Sequence, residues 1–397
     1  MSESPVPAEP VTTQAPPEAD ICKSKVEPYG DGFLITLKSP NIRVELLSYG
    51  ASVNSVRVRD PTKKPEEPDA WVETCLGYVS FDECKQPTSA RGSTRGRFAG
   101  LIGNAEFNLY NTNYKLMQNS GANCMNGGPV GFDKVQWKYI MNEGEDEIGV
   151  SFHMTSPHLD QGFPGEIFVT ATYTILKGSA TLKYSLSANL SDTTPVNATV
   201  VNLTNNVYWN LNGVARPASA TEKAPLPFPI LNHCLKLNAN YIADVDENDV
   251  PTGDMITTKD TVNDFSELRP IKDGMFFTQE QGRTPWGFND IIALETWDST
   301  LREAAVLYSP ESKLQMTVST TNPVVQVYTA NHFPEMADGS PGKRFQQHSG
   351  IALKCQYFPN SPNVESFPST VIEKGETYQE STTYEFQFLA ASPVVTH

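Results

Sequence analysis

Alternating hydrophobic and polar positions recur along most of this chain, in runs of six to eleven residues. Such alternation, rich in β-branched and aromatic side chains, is typical of half-buried strands. Clusters of Gly, Pro, Asn and Asp separate the runs and indicate turns. The predicted strands are GFLITLKS, IRVELLSYG, SVNSVRVRD, EIGVSFHMTS, EIFVTATYTIL, ATLKYSLSANL, AAVLYS, KLQMTVST and VVQVYTAN.

Helical periodicity is weak throughout the sequence. No window longer than a turn or two repeats its hydrophobic residues with the spacing of a helix face. The pattern therefore predicts an all-β protein, built either as one large sandwich or as two β domains. Neither an internal repeat nor a linker divides residues 28–390, which favours one large domain.

Two polar stretches stand apart from the strands. Residues 1–27 are rich in Pro, Glu, Ala, Ser and Thr and contain no aromatic residue, so they cannot bury enough surface to become ordered. We predict a disordered tail over 1–27 and a β-sandwich domain over 28–393. The acidic tail is also a candidate surface for a protein partner. The stretch DPTKKPEEPD (60–69) is predicted to be an exposed loop.

The composition of the chain argues against some classes of binding partner. The 397-residue chain has a formal charge of -16, which repels phosphates and anionic lipids and argues against nucleic acid and membrane partners. No apolar run approaches the ~20 residues that span a bilayer. The first residues, MSESPVPAEP, lack the features of a signal peptide. Six dispersed cysteines without a CxxC motif predict reduced thiols in a cytoplasmic protein.

A series of short motifs follows the chain in order. They are SYGASVNSVRVRD (48–60), GRFAGLIGNAEFNL (96–109), NCMNGGPVGFDKVQW (123–137), GFPGEIFVTATYTI (162–175), VNLTNNVYWNLNG (201–213), VPTGD (250–254), VVQVYTANHF (324–333) and GIALKCQYFPNSPN (350–363). In order and spacing the series closely resembles the aldose 1-epimerase, or galactose mutarotase, family over about residues 28–390. The resemblance implies a single galactose mutarotase-like β-sandwich (supersandwich) with a sugar cleft on one sheet face. It also implies cytoplasmic action on free aldohexoses, with no metal or organic cofactor.

The family reaction interconverts the α and β anomers of a sugar. A base removes the proton of the C1 hydroxyl while an acid protonates the ring oxygen, so both groups must titrate near neutral pH. The resemblance implies a glutamate base and a histidine acid. It also implies a second histidine, an aspartate and an Asn–Arg pair that grip the sugar hydroxyls.

This chain carries other residues at those positions. The acid position is Asn206 and the base position is Lys354. The substrate-gripping positions are Asn126, Gly100, Leu101 and Asn289, and the cleft glutamine is retained as Gln326. Asn has no protonation equilibrium at neutral pH, and a lysine, with a pKa of about 10.4, is a poor base unless it is desolvated. We therefore expect a catalytically impaired family member.

Several alternatives stay open. Lys354 is either a rescued base desolvated beside Tyr357 and Phe358, a partner for a carboxylate such as Asp290, a site for an acidic ligand, or a lysine that extends to solvent. Asp290 could replace the missing aspartate only through a bulge, because neighbouring strand residues point to opposite faces. His332 is either a substitute acid or an exposed histidine.

The asparagines and tryptophans also have two interpretations each. Asn126 and Asn206 either hydrogen-bond a sugar or fill the altered site, whereas Asn205 matches a scaffold position and is expected to fix a turn. Large aromatics can stack on sugars but usually belong to a core. The residues concerned are Trp137, Trp209 and Trp286.

Three classes of function follow. The first is an impaired family member that still binds a carbohydrate or another small polar ligand. The second is an active aldose 1-epimerase or related isomerase that uses relocated acid and base groups. The third is a non-catalytic interaction protein. Five substitutions within one site, at positions 101, 126, 206, 289 and 354, favour the first class over an unchanged parent reaction.

Overall fold

Strands dominate the computed structural model, which describes residues 22–67, 69–86, 90–219, 221–280, 284–295, 297–335, 337–340 and 343–393. The strands in these ranges are β1 (Lys23–Tyr29), β2 (Gly32–Lys38), β3 (Ile42–Leu47), β4 (Ser52–Arg59), β5 (Trp71–Glu73), β6 (Thr94–Arg95), β7 (Leu101–Ile102), β8 (Glu106–Leu109), β9 (Thr112–Lys115), β10 (Cys124–Met125), β11 (Lys138–Glu143), β12 (Glu147–Ser156), β13 (Ile167–Leu176), β14 (Thr181–Leu190), β15 (Ala198–Val200), β16 (Thr204–Asn205), β17 (Cys234–Leu237), β18 (Ala239–Val245), β19 (Pro251–Thr257), β20 (Arg269–Pro270), β21 (Asn289–Leu294), β22 (Arg302–Tyr308), β23 (Leu314–Thr320), β24 (Val324–Tyr328), β25 (Ala352–Gln356), β26 (Val371–Glu373) and β27 (Thr377–Phe388). The helices are α1 (Phe81–Cys84) and α2 (Ile271–Glu280), with 3-10 turns at Gly103–Ala105, Phe132–Lys134, Ile230–Asn232 and Ser361–Asn363.

Three larger sheets make up the frame. One joins β1 to β5 in chain order, and a nine-stranded sheet has the order β11-β12-β13-β14-β27-β23-β22-β17-β20. The third sheet has the order β19-β18-β21-β24-β25. Short two-stranded pairs, β6 with β16, β7 with β10, β8 with β9 and β15 with β26, connect these layers. The all-β prediction is therefore confirmed.

One hydrophobic cluster runs through all three sheets. Alternation in β13 buries every second side chain, from Ile167 to Ile175, and the same cluster includes Leu37 of β2 and Val325 of β24. Trp209 lies in this core with its ring centroid 4.7 Å from that of Tyr384. The shared core holds the third sheet, which carries the candidate site, at a fixed position against the nine-stranded sheet.

Helix α2 was not predicted from the sequence. It buries Ile271, Met275 and Thr278 along one face, while Phe276 and Phe277 remain exposed. Since only two of these three buried residues are apolar, the helical pattern in the sequence is too faint to recognise.

Strand β1 begins inside the stretch predicted to be disordered. Residues 1–21 lie outside the described ranges, but β1 begins at Lys23, inside the stretch predicted to be disordered. The side chains of β1 are mostly exposed, and its backbone pairs with β2 along the whole strand. An edge strand held by backbone hydrogen bonds needs little apolar surface, so composition does not reveal it. The described part of the predicted 60–69 loop forms turns between β4 and β5.

The cysteines form no disulfides in the described ranges. All six cysteines lie in described ranges and are unpaired, and five of them are buried. Across the described ranges, no helix is long and apolar enough to cross a membrane.

Candidate active site

Strand β25 forms the middle of the candidate site. On one side it pairs with β24, and on the other it runs beside residues 202–209. The backbone groups of Trp209 and Ile351 exchange hydrogen bonds of 2.8 and 2.9 Å, and the Thr204 hydroxyl donates to the Cys355 carbonyl at 2.7 Å. The 202–209 segment is therefore fixed against the strand that carries Lys354.

On the side away from β25, the 202–209 segment is hydrogen-bonded to residues 93–95. Thr204 pairs with Arg95 between β16 and β6, and the Asn206 N–H donates to the Ser93 carbonyl at 2.9 Å. Four neighbouring stretches of chain thus supply positions 95, 206, 326 and 354 to one region.

Side chains of β21, β24 and β25 form what we term the cleft face, defined by Asn289, Gln326 and Lys354. Gln326 pairs with Lys354 across the strands, and its Nε2 donates to Asn289 Oδ1 at 2.9 Å. The buried Gln356 donates to Gln326 Oε1 at 3.4 Å. These amides form a polar ladder, whereas the alternate residues of the same strands point into the core.

Asp290 lies on the opposite face. It pairs with Val327, a core residue, and the register between β21 and β24 is continuous with no bulge. Strand alternation therefore directs Asp290 away from the side of the sheet that carries Lys354. Neither its use as the missing aspartate nor a pair with Lys354 fits this geometry.

Asn206 is held rigidly at the acid position. It is 5% exposed, and its Nδ2 donates to the Ala90 carbonyl at 2.9 Å. It also hydrogen-bonds the hydroxyl of Tyr208. Burial raises the pKa of Tyr208, and Arg95 together with the Asn206 hydrogen bond offsets part of that rise. A neutral, engaged amide thus stands where the resemblance implies a proton donor.

Lys354 lies in a mostly desolvated position. Its Nζ is 5.9 Å from the centroid of the Tyr328 ring, which in turn packs edge-on to Tyr208 at 6.0 Å. Desolvation by burial lowers the pKa of Lys354 to about 7, and the nearby positive charge of Arg95 acts in the same direction. Burial and the neighbouring Arg95 thus both favour the neutral amine of Lys354.

Arg95 was missed by the sequence reasoning. One of its guanidinium nitrogens donates to Asp133 Oδ2 at 2.9 Å, and the side chain is 16% exposed. The sequence did hold a signal, because RGSTRGR (91–97) places three arginines within seven residues of an acidic chain.

Asn126 and Gly100 hold each other. The Gly100 N–H donates to Asn126 Oδ1 at 3.0 Å, and the Asn126 N–H donates to the Gly100 carbonyl at 2.8 Å. Gly100 has a φ of +80°, and a Cβ placed there would lie 2.5 Å from Cγ of Pro359. The next residue, Leu101, is half-buried and pairs with Met125. The backbone at position 100 is therefore tied to Asn126, and a side chain there would meet Pro359.

His332 and two tryptophans contribute little to the cleft. His332 is exposed and reaches the cleft face only through Tyr328, whose hydroxyl lies 3.0 Å from His332 Nδ1. Trp137 is buried, with its Nε1 donating to the Phe132 carbonyl at 3.0 Å. Trp286 packs against His348 with ring centroids 4.1 Å apart. No cluster of three or more His, Cys, Asp or Glu residues suited to a metal occurs in the described ranges.

Comparison with known proteins identifies the family. The aldose 1-epimerase family model matches residues 34–385. The chain belongs to the aldose 1-epimerase family. It is 30% identical to galactose mutarotase of Sus scrofa over 352 residues, which cover 88% of this chain and 92% of that protein. It is 29% identical to aldose 1-epimerase of Escherichia coli over 360 residues, covering 89% and 94% of the two chains.

Solved structures agree on the fold. Galactose 1-epimerase from Lactobacillus acidophilus superposes with a TM-score of 0.76 at 22% identity, covering 92% of this chain and 99% of that one. The galactose mutarotase-like β-sandwich predicted from the motifs is thus confirmed. Among the positions predicted from the resemblance, Asn289, Gln326 and Lys354 share one sheet face, whereas Gly100 and Asn126 hydrogen-bond each other.

Placing at position 100 the asparagine that the resemblance implies should destabilise the protein. In Gly100→Asn the new Cβ meets the rigid Pro359 ring at 2.5 Å, and such overpacking costs ~1–3 kcal/mol. Gly375→Asn is the matched control, because its φ of +89° is similar and no atom lies within 4 Å of the point where its Cβ would stand. Chemical denaturation should show the larger loss for Gly100→Asn. Equal losses would mean that the left-handed backbone, and not Pro359, sets the cost.

Removing the Lys354 amine should stabilise the fold in a pH-dependent manner. The pKa is lowered in the folded state from 10.5 to about 7, so between these values the unfolded chain binds more protons. The penalty is therefore complete below pH 7 and falls by ~1.4 kcal/mol per pH unit as the pH rises toward 10.5. Lys354→Met should gain most over wild type at pH 6 and least at pH 10. The exposed Lys183→Met variant on β14 is the control, and a pH-independent gain would contradict this burial.

Proposed function

We propose that this protein is a carbohydrate-binding member of the aldose 1-epimerase family that has lost the parent proton-transfer pair. One observation carries the proposal: an amide at position 206 and an amine at position 354 occupy neighbouring stretches where the reaction needs an acid and a carboxylate base. The amide cannot exchange a proton at neutral pH, and its N–H is already engaged. Losing one member of an acid–base pair typically costs ~10²–10⁴ in rate.

The retained polar groups support sugar binding. Gln326 and Asn289 present amides on the cleft face, and amides both donate to and accept from hydroxyls. Tyr208 and Tyr328 add aromatic surface, which suits the apolar side of a sugar ring. The names galactose mutarotase and aldose 1-epimerase among the relatives make aldohexoses the first ligands to test. Six unpaired cysteines suit a cytoplasmic setting.

A second candidate is an active isomerase with Lys354 as its base. The observation that favours it is the pKa of Lys354, lowered by burial to about 7. An amine with that pKa can accept a proton at neutral pH. The acid in this scheme would be His332, acting through the Tyr328 hydroxyl. Any sugar isomerisation that disappears in Lys354→Met would favour this candidate.

Ligand binding is the test of the lead proposal. Thermal unfolding of the full chain should shift upward with an aldohexose, since a ligand at ~100 times its Kd adds ~2.7 kcal/mol of stability. Gln326→Leu should reduce the shift because it removes the centre of the polar ladder. If no aldohexose or charged sugar shifts the unfolding temperature, an interaction protein becomes the better account.

A further inference from the structure

Positive charge is concentrated beside the cleft face of this acidic protein. Four basic side chains, Arg91, Arg95, Arg344 and Lys354, form what we call the basic cluster. Arg91 and Arg344 lie 5.0 and 4.6 Å from the centroid of the Phe345 ring, which shares a cluster with Tyr208 and Tyr328. Lys354 lies beside Tyr328, and Arg95 pairs with Thr204, whose hydroxyl donates to the carbonyl of Cys355, the residue after Lys354. In a chain with a formal charge of -16, such a grouping needs a physical reason.

The carboxylates of this region are already engaged. Glu83 lies between Arg91 and Arg344, at 2.6 Å and 3.3 Å, and Asp133 binds Arg95 at 2.9 Å. Among the described residues, the ion pairs of the basic cluster thus join two carboxylates to its three arginines and do not include Lys354.

Arg95 retains donors for a ligand. Asp133 takes one guanidinium nitrogen, while a guanidinium carries five N–H groups in a planar fork. The Arg95 side chain is 16% exposed, whereas that of Asp133 is 2% exposed. The carboxylate therefore binds the guanidinium from its buried side. A fork fixed in this way suits the paired oxygens of a carboxylate or phosphate.

Lys354 lacks a counter-charge among the described residues. Its aromatic neighbour is Tyr328, its cross-strand neighbour is Gln326, and the one charged group that acts on it is Arg95. Two cations held near each other in a partly desolvated site cost free energy, and a bound anion relieves that cost.

We propose that the ligand of this site is an anionic sugar derivative, whose carboxylate or phosphate lies between Arg95 and Lys354 while its hydroxyls contact the Asn289–Gln326 ladder. This inference rests on the proposed sugar-binding function and narrows its ligand class. It explains the substitution at position 354, because a glutamate there would repel the acid group that the lysine attracts.

Calorimetry on the full-length protein at low salt tests the ligand class. The probes are D-galactose, D-galacturonate, D-galactose 6-phosphate and inorganic phosphate. We expect galacturonate or galactose 6-phosphate to bind at least ~10-fold more tightly than galactose, with affinity falling as salt is added. The two charged sugars distinguish a carboxylate ligand from a phosphate ligand.

Variants connect the affinity to the two cations. Lys354→Met should weaken binding of the charged sugar at least ~10-fold more than it weakens binding of galactose, while Lys183→Met, which removes the same charge from the nine-stranded sheet, should change neither. Because Arg95 also holds Asp133, the pair variant Arg95→Gln/Asp133→Asn is compared with Arg95→Gln to separate lost binding from lost folding.

The outcomes separate the two proposals. Galactose binding as tightly as the charged sugars, or charged-sugar affinity unchanged in Lys354→Met, overturns the anionic ligand and leaves sugar binding intact. Charged sugars binding no more tightly than inorganic phosphate, but still dependent on Lys354, would support the anion site and overturn the sugar-binding function.

Discussion

The Asn206→His/Lys354→Glu double variant should equilibrate the anomers of galactose at least ~10²-fold faster than the wild-type protein. It restores the acid and base implied by the family at positions that the 202–209 segment and β25 hold side by side. The KM should stay high, because Gly100 and Leu101 cannot grip the sugar as an Asn–Arg pair would. NMR exchange spectroscopy of the anomeric protons measures the rate.

The single variants are part of this prediction. Groups that act as a unit are strongly non-additive, so neither Asn206→His nor Lys354→Glu alone should approach the double variant. Asn206→His/Lys354→Gln is the matched control, since glutamine has nearly the size of glutamate without its basicity. Equal rates in the double variant and this control would show that proton transfer is not what position 354 lacks.

Arg97→Met should destabilise the fold by ~3–5 kcal/mol, because the carbonyls left behind are buried and unpaired. Arg97 is 1% exposed. Its NH1 donates to the carbonyls of Pro164 and Gly165 at 2.8 and 2.7 Å, and its NH2 donates to those of Ser156 and Pro157, both at 3.1 Å. The side chain thereby joins the end of β12 to the loop before β13. Urea denaturation followed by tryptophan fluorescence measures the loss.

Arg302→Met is the matched control for this effect. Arg302 also donates to backbone carbonyls, those of Glu295, Thr320 and Asn322, at 3.2 to 3.3 Å. It is more accessible than Arg97, so water can replace its hydrogen bonds and the expected loss is below ~1 kcal/mol. Similar losses in the two variants would contradict the role assigned to burial at Arg97.

Local pattern revealed much of the fold. The run from Glu147 to Ser156 was predicted and forms β12 without change, because alternation over ten residues with one buried face specifies a strand. Helix α2 and the edge strand β1 escaped prediction because each buries little apolar surface. A strand with regular alternation can be recognised from the sequence, whereas an element that depends on packing against distant segments cannot.

Part of the candidate site could likewise be predicted from the sequence and part could not. The dipeptide Asn205–Asn206 was expected to combine a scaffold residue with an altered chemical position. Asn205 fixes the backbone locally, since its Oδ1 accepts from the Val207 N–H at 3.1 Å, and its Nδ2 also donates to the Gly92 carbonyl at 2.7 Å and to the Tyr173 hydroxyl at 2.8 Å. The neighbouring charges of Arg95 and Lys354 could not be predicted, because they are 259 residues apart in the sequence and are brought together by the contacts of β16 with β6 and β25.

The backbone conformation of Gly100 could not be predicted from the sequence either. Its φ of +80° and its contact with Pro359 depend on a loop far along the chain. A side chain placed at position 100 would therefore have to displace Pro359.

The most direct test of the central claim follows the anomers of freshly dissolved α-D-galactose and α-D-glucose by polarimetry with purified full-length protein. With Asn206 and Lys354 at the acid and base positions, equilibration should proceed at the rate of buffer alone, and the rate should not increase with protein concentration. Acceleration well above the buffer rate, proportional to the amount of protein, would contradict the loss of the parent reaction.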